Sequence, residues 1–489
     1  MAFSGNILSV DVGSSSVRCS VYNGAGDLVE GTASSHRYAF EWGRGGAATL
    51  DAEKLAGIAF RALDETLSKA GRAGVGISAV ATSTFWHSML GVDAHARPTT
   101  PIFTWADRRA ADAARDLRET LDETAIHRRT GCVLHSSYWP AKLLWLSGAD
   151  PDALSNTTRF LSPGDYLHLK LFGEATVGTS MASGTGLFDQ NRKAWDDELL
   201  TTLPVEEGSL SPISDGPLAG LGGGWVERWP ALREVPWFPA VGDGACSNVG
   251  SGCVTQERLA LMVGTSGAMR ILWEADSTEV PQDLWCYRAD ARRFVSGGAL
   301  SDGGNLVEWL RGTLRLPDEE ETEGLLSRME PDSHGLTFLP LLAGERGPGW
   351  ADDANGTVAG LSLSTTPAEI LRAAMEAVAL RFALIAEKLE AAFPKGARDR
   401  EVVATGGGLL GSPAWVRIMV DALGRPVTVS GVEEASSRGA ALLAAEAMGG
   451  TRIEEVEAPM AETHQPHRER HEVYRQALER QRHLYDAVM

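Results

Sequence analysis

Apolar runs at Ile7–Val10 and Val17–Tyr22 flank a short polar stretch, Gly13-Ser-Ser-Ser16, and the arrangement recurs half a chain later. There Leu259–Val263 and Ala268–Trp273 enclose Gly264-Thr-Ser266. Each pair predicts a β-hairpin with a hydroxyl-rich turn that exposes backbone N–H groups without side-chain bulk. The recurrence predicts two related lobes with phosphates held between the turns. A polar turn at Asn23–Asp27 predicts a second hairpin reaching Glu30, and a helix should follow from about Asp51 to Ala70. Strands followed by helices then recur to residue 190, the pattern of an α/β fold. Residues 190–240 are rich in Gly, Pro and Trp and read as a cap or connecting segment. Thr366-Pro-Ala-Glu369 opens a long helix with a capping box and Pro at its first position. Pro394 and Gly396 should stop it after Phe393, and apolar residues on most of its faces predict burial. Val402–Ala404 reads as a strand, followed by the turn Thr405-Gly-Gly-Gly408 and a helix from Ser412-Pro413 to Gly424. Asp318–Glu323 reads as a solvated helix face, and Val473, Ala477, Leu478, Leu484 and Val488 mark a terminal amphipathic helix.

A chain of 489 residues has room for two or three domains. Its formal charge of −20 argues against a nucleic-acid groove or an anionic membrane surface, so any phosphate must be held by local geometry. The five cysteines are scattered and form no CxxC pair, which fits a reducing cytoplasm and no structural zinc. No basic segment precedes the first apolar run and no apolar stretch approaches ~18 residues, so neither export nor a membrane span is expected. His464, His467 and His471 lack accompanying carboxylates or thiolates at metal-site spacing and read as surface histidines.

Phosphoryl transfer from ATP needs turns for the phosphates, a carboxylate near Mg²⁺ and a base for the accepting hydroxyl. No lysine follows a glycine anywhere, so a P-loop is excluded. Asp11 ends the first strand directly before the hydroxyl turn, where a carboxylate can orient the water shell of Mg²⁺; the lesser alternative is a turn-forming residue. Met262 stands at the comparable place in the second hairpin, so one lobe alone would supply the metal side. Asp243, in Gly242-Asp-Gly244, is the base candidate, with small neighbours that leave a substrate room to approach; the alternative is an ordinary glycine turn. Gly406, Gly407 and Gly408 would let adenine or ribose lie against the backbone, although a helix-initiating turn uses glycines too.

With these parts assembled, the chain resembles the FGGY carbohydrate kinases of the actin-like ATPase superfamily, from about residue 5 to residue 450. Gly356-Thr-Val-Ala-Gly-Leu361 followed by Glu369-Ile-Leu-Arg-Ala-Ala-Met-Glu376 carries the family's C-terminal signature. The resemblance implies two ribonuclease-H-like lobes, residues 1–245 and 246–489, facing an interlobe cleft. It implies Asp11 in the Mg²⁺ site, Gly13, Ser14, Ser15 and Ser16 with Gly264, Thr265 and Ser266 on the phosphates, Asp243 as catalytic base, and Gly406–Gly408 on adenosine.

Within the family, gluconokinases are most similar in His87-Ser88, Thr104-Trp-Ala-Asp-Arg108, Ser180–Gly186, Gly264–Arg270 and Leu342–Arg346. His87, Trp105, Asp107 and Arg108 become candidates for the sugar pocket, with Trp86 beside them. Cations there would suit a sugar acid's carboxylate. Without the resemblance these would be a core histidine, packing and a surface ion pair. Phe85-Trp86 stand where small residues and Met are usual, and Ser136-Ser-Tyr-Trp-Pro140 where Pro-Met-Ser-Pro is usual, so the signature around Lys142 is partly met. Both departures add aromatic bulk near the expected sugar site. The implied activity is ATP- and Mg²⁺-dependent phosphorylation of D-gluconate to 6-phosphogluconate, in a cleft that closes on the sugar. Xylulose or another ketose or polyol is the alternative acceptor. A nucleotide-gated interaction protein is the alternative of a different class. The expected partner is a small sugar or sugar acid, with no nucleic acid and no membrane, and a homodimer is compatible with the resemblance.

Overall fold

In the computed structural model, which describes residues 3–397 and 399–489, the first hairpin forms as β1 (Ile7–Val12) and β2 (Ser16–Tyr22). The strands pair antiparallel from Ile7↔Tyr22 to Val12↔Val17. β3 (Ser34–Arg37) adds antiparallel to β2, while β4 (Ala79–Thr84) and β5 (Val241–Gly242) extend the other side in parallel, giving the order β5-β4-β1-β2-β3. The third strand starts later than the sequence suggested. After the Asn23–Asp27 turn only Leu28 bridges back to Tyr22, and the ladder resumes at Ser34.

The second lobe repeats this plan. β6 (Arg258–Val263) and β7 (Gly267–Glu274) form the second hairpin, followed by β8 (Trp285–Arg288), β9 (Arg293–Leu300), β10 (Glu401–Thr405), β11 (Val427–Ser430) and β12 (Met460–His464). The order is β8-β9-β7-β6-β10-β11-β12. Setting aside the edge strands β8 and β12 leaves the same antiparallel-then-parallel arrangement as in the first lobe. β1 and β4 are buried at every position because helices cover both sheet faces, which is why their sequences read as continuous apolar runs rather than alternations.

Local signals account for the helices. In α1 (Ala52–Arg72), Asp51 accepts from Lys54 N, and Leu55, Ile58, Ala59, Ala62 and Leu63 make the buried stripe. α2 (Trp139–Ala149) has Pro at its start. α3 (Asp243–Gly250) follows β5 without a break. In α4 (Pro367–Ala392), Thr366 and Glu369 cap reciprocally, and the helix is buried along most of its length. Gly267 and Gly298 in the overlying sheet make room for Phe382 and Ile385. α5 (Pro413–Leu423) ends at Gly424, whose φ of +65° suits only glycine comfortably. α6 (Ala435–Ala447) and α7 (Arg468–Val488) complete the chain. Glu323 is more than part of a solvated face: it accepts from Ser412 Oγ and Ala414 N at the start of α5. Residues 190–240 form a connecting segment rather than a cap over the cleft, since Trp225 and Trp229 pack on Phe60 of α1 and Trp237 packs on Phe172.

The lobes join where α3 crosses α6. A Cβ on Gly250 would lie 1.8 Å from Ala435 O, and one on Gly439 would lie 1.8 Å from Cys246 O, so the two backbones touch at a pair of glycines. α6 follows a second-lobe strand, yet its alanines at 440, 441, 444 and 445 cluster with Ile7, Tyr22, Ala79 and Ala81 of the first sheet. The expected boundary after residue 245 falls inside α3. All five cysteines are free and buried. Among the described residues no helix is long and apolar enough to cross a membrane.

Candidate active site

Each hydroxyl turn closes with a bond from its leading glycine N–H to a serine carbonyl, three residues on in the first and two in the second. Gly13 N donates to Ser16 O at 3.0 Å, and Gly264 N donates to Ser266 O at 2.9 Å. Ser15 and Thr265 are left exposed at the tips. The glycines of 406–408 abut the second turn: Gly406 has φ +95°, and a Cβ there would meet Val263 O at 2.4 Å. A Cβ on Gly408 would meet Gly264 O at 2.8 Å, while Gly407 faces open space. Sequence reading missed a third contributor, Gly303-Gly304. Gly304 N donates to Gly264 O at 2.8 Å, Asn305 N donates to Thr265 O at 3.0 Å, and a Cβ on Gly304 would fall 2.5 Å from Gly264 O. Three glycine segments therefore make one side-chain-free floor, the surface that a flat or phosphorylated ligand needs.

Asp11 stands one residue before the end of β1, paired in register with Arg18 of β2. Arg18 Nη1 is 3.6 Å from Asp11 Oδ2, and Arg18 Nε is 3.2 Å from Glu434 at the entry to α6. Burial pushes the Asp11 carboxyl above its ordinary range and Arg18 opposes that shift. Oδ1 of Asp11 is buried without a well-formed hydrogen bond, although the hydroxyls of Ser83 and Ser437 lie near enough to favour its charged form. A buried carboxylate oxygen so weakly satisfied is costly as it stands and suits a cation or its hydration water. These residues fit Mg²⁺. Asp11→Asn is expected to move the Mg²⁺ dependence of turnover to higher concentration without lowering the melting temperature; an unchanged Mg²⁺ curve would return Asp11 to a purely structural role.

Asp243 is the first residue of α3, and its Oδ1 accepts from Gly244 N at 2.8 Å. Burial raises its pKa to about 6, with Arg270 pulling down and Asp11 pushing up. The flanking glycines do not hold open a path for substrate. They seat the indole of Trp86, whose ring atoms would lie 1.8 Å from a Cβ on Gly242 and 2.7 Å from one on Gly244. Trp86 Nε1 is anchored on Ser180 O at 3.0 Å.

A cavity between the lobes brings Asp243 together with Ser14, Ser266, Trp86, His87 and Trp105. Tyr138, from the aromatic departure at 136–140, supplies more of its wall together with Trp285, Tyr287 and Trp350, which the sequence did not single out. His87 has φ +69°, rare for a residue with a side chain, and Lys142 of α2 fixes that backbone by donating to His87 O at 2.9 Å and Ser137 O at 2.7 Å. His87 Nδ1 lies 2.6 Å from Gly184 O and must carry the proton there. Burial holds the imidazole pKa near 3, so it is neutral, and Nε2 is left as an acceptor for a hydroxyl rather than a cation for an anion.

Asp107 and Arg108 do not join this cavity. Asp107 is a 3% exposed carboxylate gripped by Arg109 through Nη2 at 2.6 Å and Nε at 3.0 Å. Arg108 turns away, packs on Gly46 and Gly344, and donates across the cleft to Asp352 O. Two arginines from the second lobe, Arg270 and Arg346, line the cavity in its place. Both end stretches matched to gluconokinases, but within an apolar strand and a glycine-rich loop nothing local marked them as facing a ligand. A further cluster, Asp332, His334 and Glu376, lies beneath α7, where Arg372 and Arg480 neutralise it.

The sequence model of the FGGY family of carbohydrate kinases, N-terminal domain, matches residues 6–250, and that of the C-terminal domain matches residues 259–448. A gluconokinase of Bacillus subtilis (strain 168) is 28% identical over 395 residues, covering 76% of this chain and 75% of its own. A glycerol kinase of Leptothrix cholodnii is 30% identical over 414 residues, 81% of each chain. Among solved structures, a ligand-bound xylulose kinase from Lactobacillus acidophilus superposes with a TM-score of 0.88 at 25% identity, over 99% of this chain and 98% of that one. A gluconate kinase from the same organism superposes with a TM-score of 0.87 at 25% identity over the same shares.

Proposed function

Because this chain belongs to the FGGY family of carbohydrate kinases, we propose that it transfers the terminal phosphoryl group of ATP to a sugar acid, converting D-gluconate to 6-phosphogluconate. The observation that carries the reading is Asp243, a half-buried carboxylate with a pKa near 6 and no cation within ion-pair distance among the described residues. It opens onto a cavity shared by both hydroxyl turns. Such a group is ionised at neutral pH yet basic enough to accept the proton of the attacking hydroxyl. The turns at Gly13–Ser16 and Gly264–Ser266 offer backbone N–H groups and hydroxyls to the phosphates, and the glycine floor offers contact surface to the nucleoside. Bound at Asp11, Mg²⁺ would neutralise phosphate charge. Trp86 and Trp105 give the C–H edges of a polyol an aromatic wall, and His87 Nε2 accepts from one of its hydroxyls.

The gluconokinase and gluconate kinase likenesses support gluconate, whereas the xylulose kinase likeness keeps a ketose in contention. Turnover of ATP with D-gluconate, D-xylulose and glycerol, each against a no-acceptor control, separates them. We expect kcat/KM for gluconate to exceed the other two by at least ~10²-fold, the scale of a satisfied against an unsatisfied polar contact. Faster reaction with xylulose would overturn gluconate as acceptor and leave the sugar kinase reading intact.

A further inference from the structure

Most buried arginines of this fold meet carboxylates or two or more backbone carbonyls, which makes Arg270 and the half-buried Arg346 informative. Arg293 is fully buried and meets Asp290, Glu446 and Glu454. Arg372 meets Glu376, Arg381 meets Glu345, and Arg288 donates to Gln190 O and Ala291 O. Arg270 has no such company. It is 6% exposed, its Nη1 is buried without a partner, and no acceptor among the described residues takes a hydrogen bond from its guanidinium. Arg346 donates to Leu300 O at 3.0 Å and lies over the Trp105 ring at 4.4 Å from its centroid, but its Nε is buried with nothing to bond.

The Arg346 guanidinium disfavours the charge of Arg270, and among the described residues neither has a carboxylate within ion-pair distance; Asp243 favours the charge of both from beyond it. Paired like charges in a low-dielectric pocket are costly unless an anion completes them. A strand alternation aims Arg270 into the cavity, since Ala268 also lines it while Met269 faces the core under α4 and Gly267, whose backbone borders the cavity, has its Cβ direction toward Phe382. Arg346 arrives from the other side, on the segment between strands Thr337–Leu339 and Thr357–Ala359. The aromatic wall of Trp86, Tyr138, Trp285 and Tyr287 supplies no countercharge.

We propose that Arg270 and Arg346 together form the receptor for a carboxylate of the phosphoryl acceptor, and that this pair makes the cleft selective for sugar acids over neutral polyols. The inference rests on the kinase reading above. A planar carboxylate matches the paired N–H groups of a guanidinium and would occupy donors that no protein group uses. The other anion in the reaction is the transferring phosphoryl group, already provided for by two turns and Asp11, and the experiment separates the two.

Calorimetric titration without nucleotide compares D-gluconate with its neutral counterpart D-glucitol, for the wild-type chain, Arg270→Gln, Arg346→Gln and Arg270→Lys. We expect both Gln variants to weaken gluconate binding by at least ~10²-fold while glucitol changes by less than about threefold, with Arg270→Lys in between. Because an unpaired buried charge is removed, Arg270→Gln should melt no lower than wild type. Equal losses for both ligands, wild-type binding of glucitol as tight as gluconate, or a lower melting temperature in Arg270→Gln would each overturn the receptor. Intact gluconate binding with kcat reduced alike for acidic and neutral acceptors would assign the arginines to the phosphoryl group instead. If the wild-type chain phosphorylates neutral sugars alone, the gluconate assignment falls together with the receptor; if Arg270 and Arg346 variants keep full preference for gluconate, the receptor falls alone.

Discussion

Replacing Asp243 by alanine is expected to lower kcat by at least ~10²-fold while ATP and acceptor still bind. Among the described residues no second carboxylate lines the cavity, so no neighbour is placed to take over the proton. Burial is the first cause of its raised pKa of about 6, and Arg270 and Arg346 keep it from rising further. The active form of a base is the deprotonated one, so turnover should be full above that pKa and fall with unit slope as pH drops through it. Asp243→Asn should lose that limb. The variant should also fold: a group whose pKa is raised on folding costs stability when ionised at neutral pH, so its removal relieves rather than adds strain. Near-normal turnover, or an acidic limb that persists in Asp243→Asn, would assign the proton to another group.

Features written in consecutive residues were legible before the structure. Both hairpins announce themselves through apolar runs around a glycine–hydroxyl turn, and α4 announces itself through Thr366, Pro367 and Glu369, because each signal acts within one or two turns of chain. Contacts between distant segments were not legible. Gly303-Gly304 look unremarkable until the chain brings them under Gly264, and the glycines beside Asp243 suggested open space when their task is to seat Trp86. Asp107 and Arg108 come two and three residues after Trp105, yet only Trp105 reaches the cavity, because Arg109 captures one and Asp352 the other. Arg270 illustrates the converse: a strand residue is committed to the cleft by alternation, and its want of a partner emerges only when the neighbours of both lobes are in place.

Asp352→Ala should lower kcat/KM for the acceptor by about 10²-fold through the closure of the lobes rather than through chemistry. Asp352 is a second-lobe residue, 4% exposed, inserted into the first lobe. Its carboxylate accepts from Ser136 Oγ, lies 3.0 Å from His135 Nε2 and is 3.7 Å from Arg118 Nη1, while its carbonyl takes Arg108. His135 Nδ1 accepts from Ser137 N at 3.1 Å, which leaves the proton on Nε2 to be donated to Glu345 O at 3.1 Å, and burial holds the ring near pKa 4, so Asp352 lies beside a neutral imidazole. The same segment carries Arg346 and Trp350 onto the cavity, so the latch that joins the lobes also completes the acceptor wall. Cutting it strands donors on the first lobe at a cost of roughly 3 kcal/mol, which shifts a closed-to-open equilibrium by about 10²-fold. Each lobe keeps its own sheet and helices, so the melting temperature should fall little while the radius of gyration from solution scattering rises. ATP affinity should change less than acceptor affinity, because the glycine floor is built entirely within the second lobe. Unchanged scattering with unchanged kcat/KM would mean that the α3–α6 crossing alone holds the lobes together and that Asp352 is no latch.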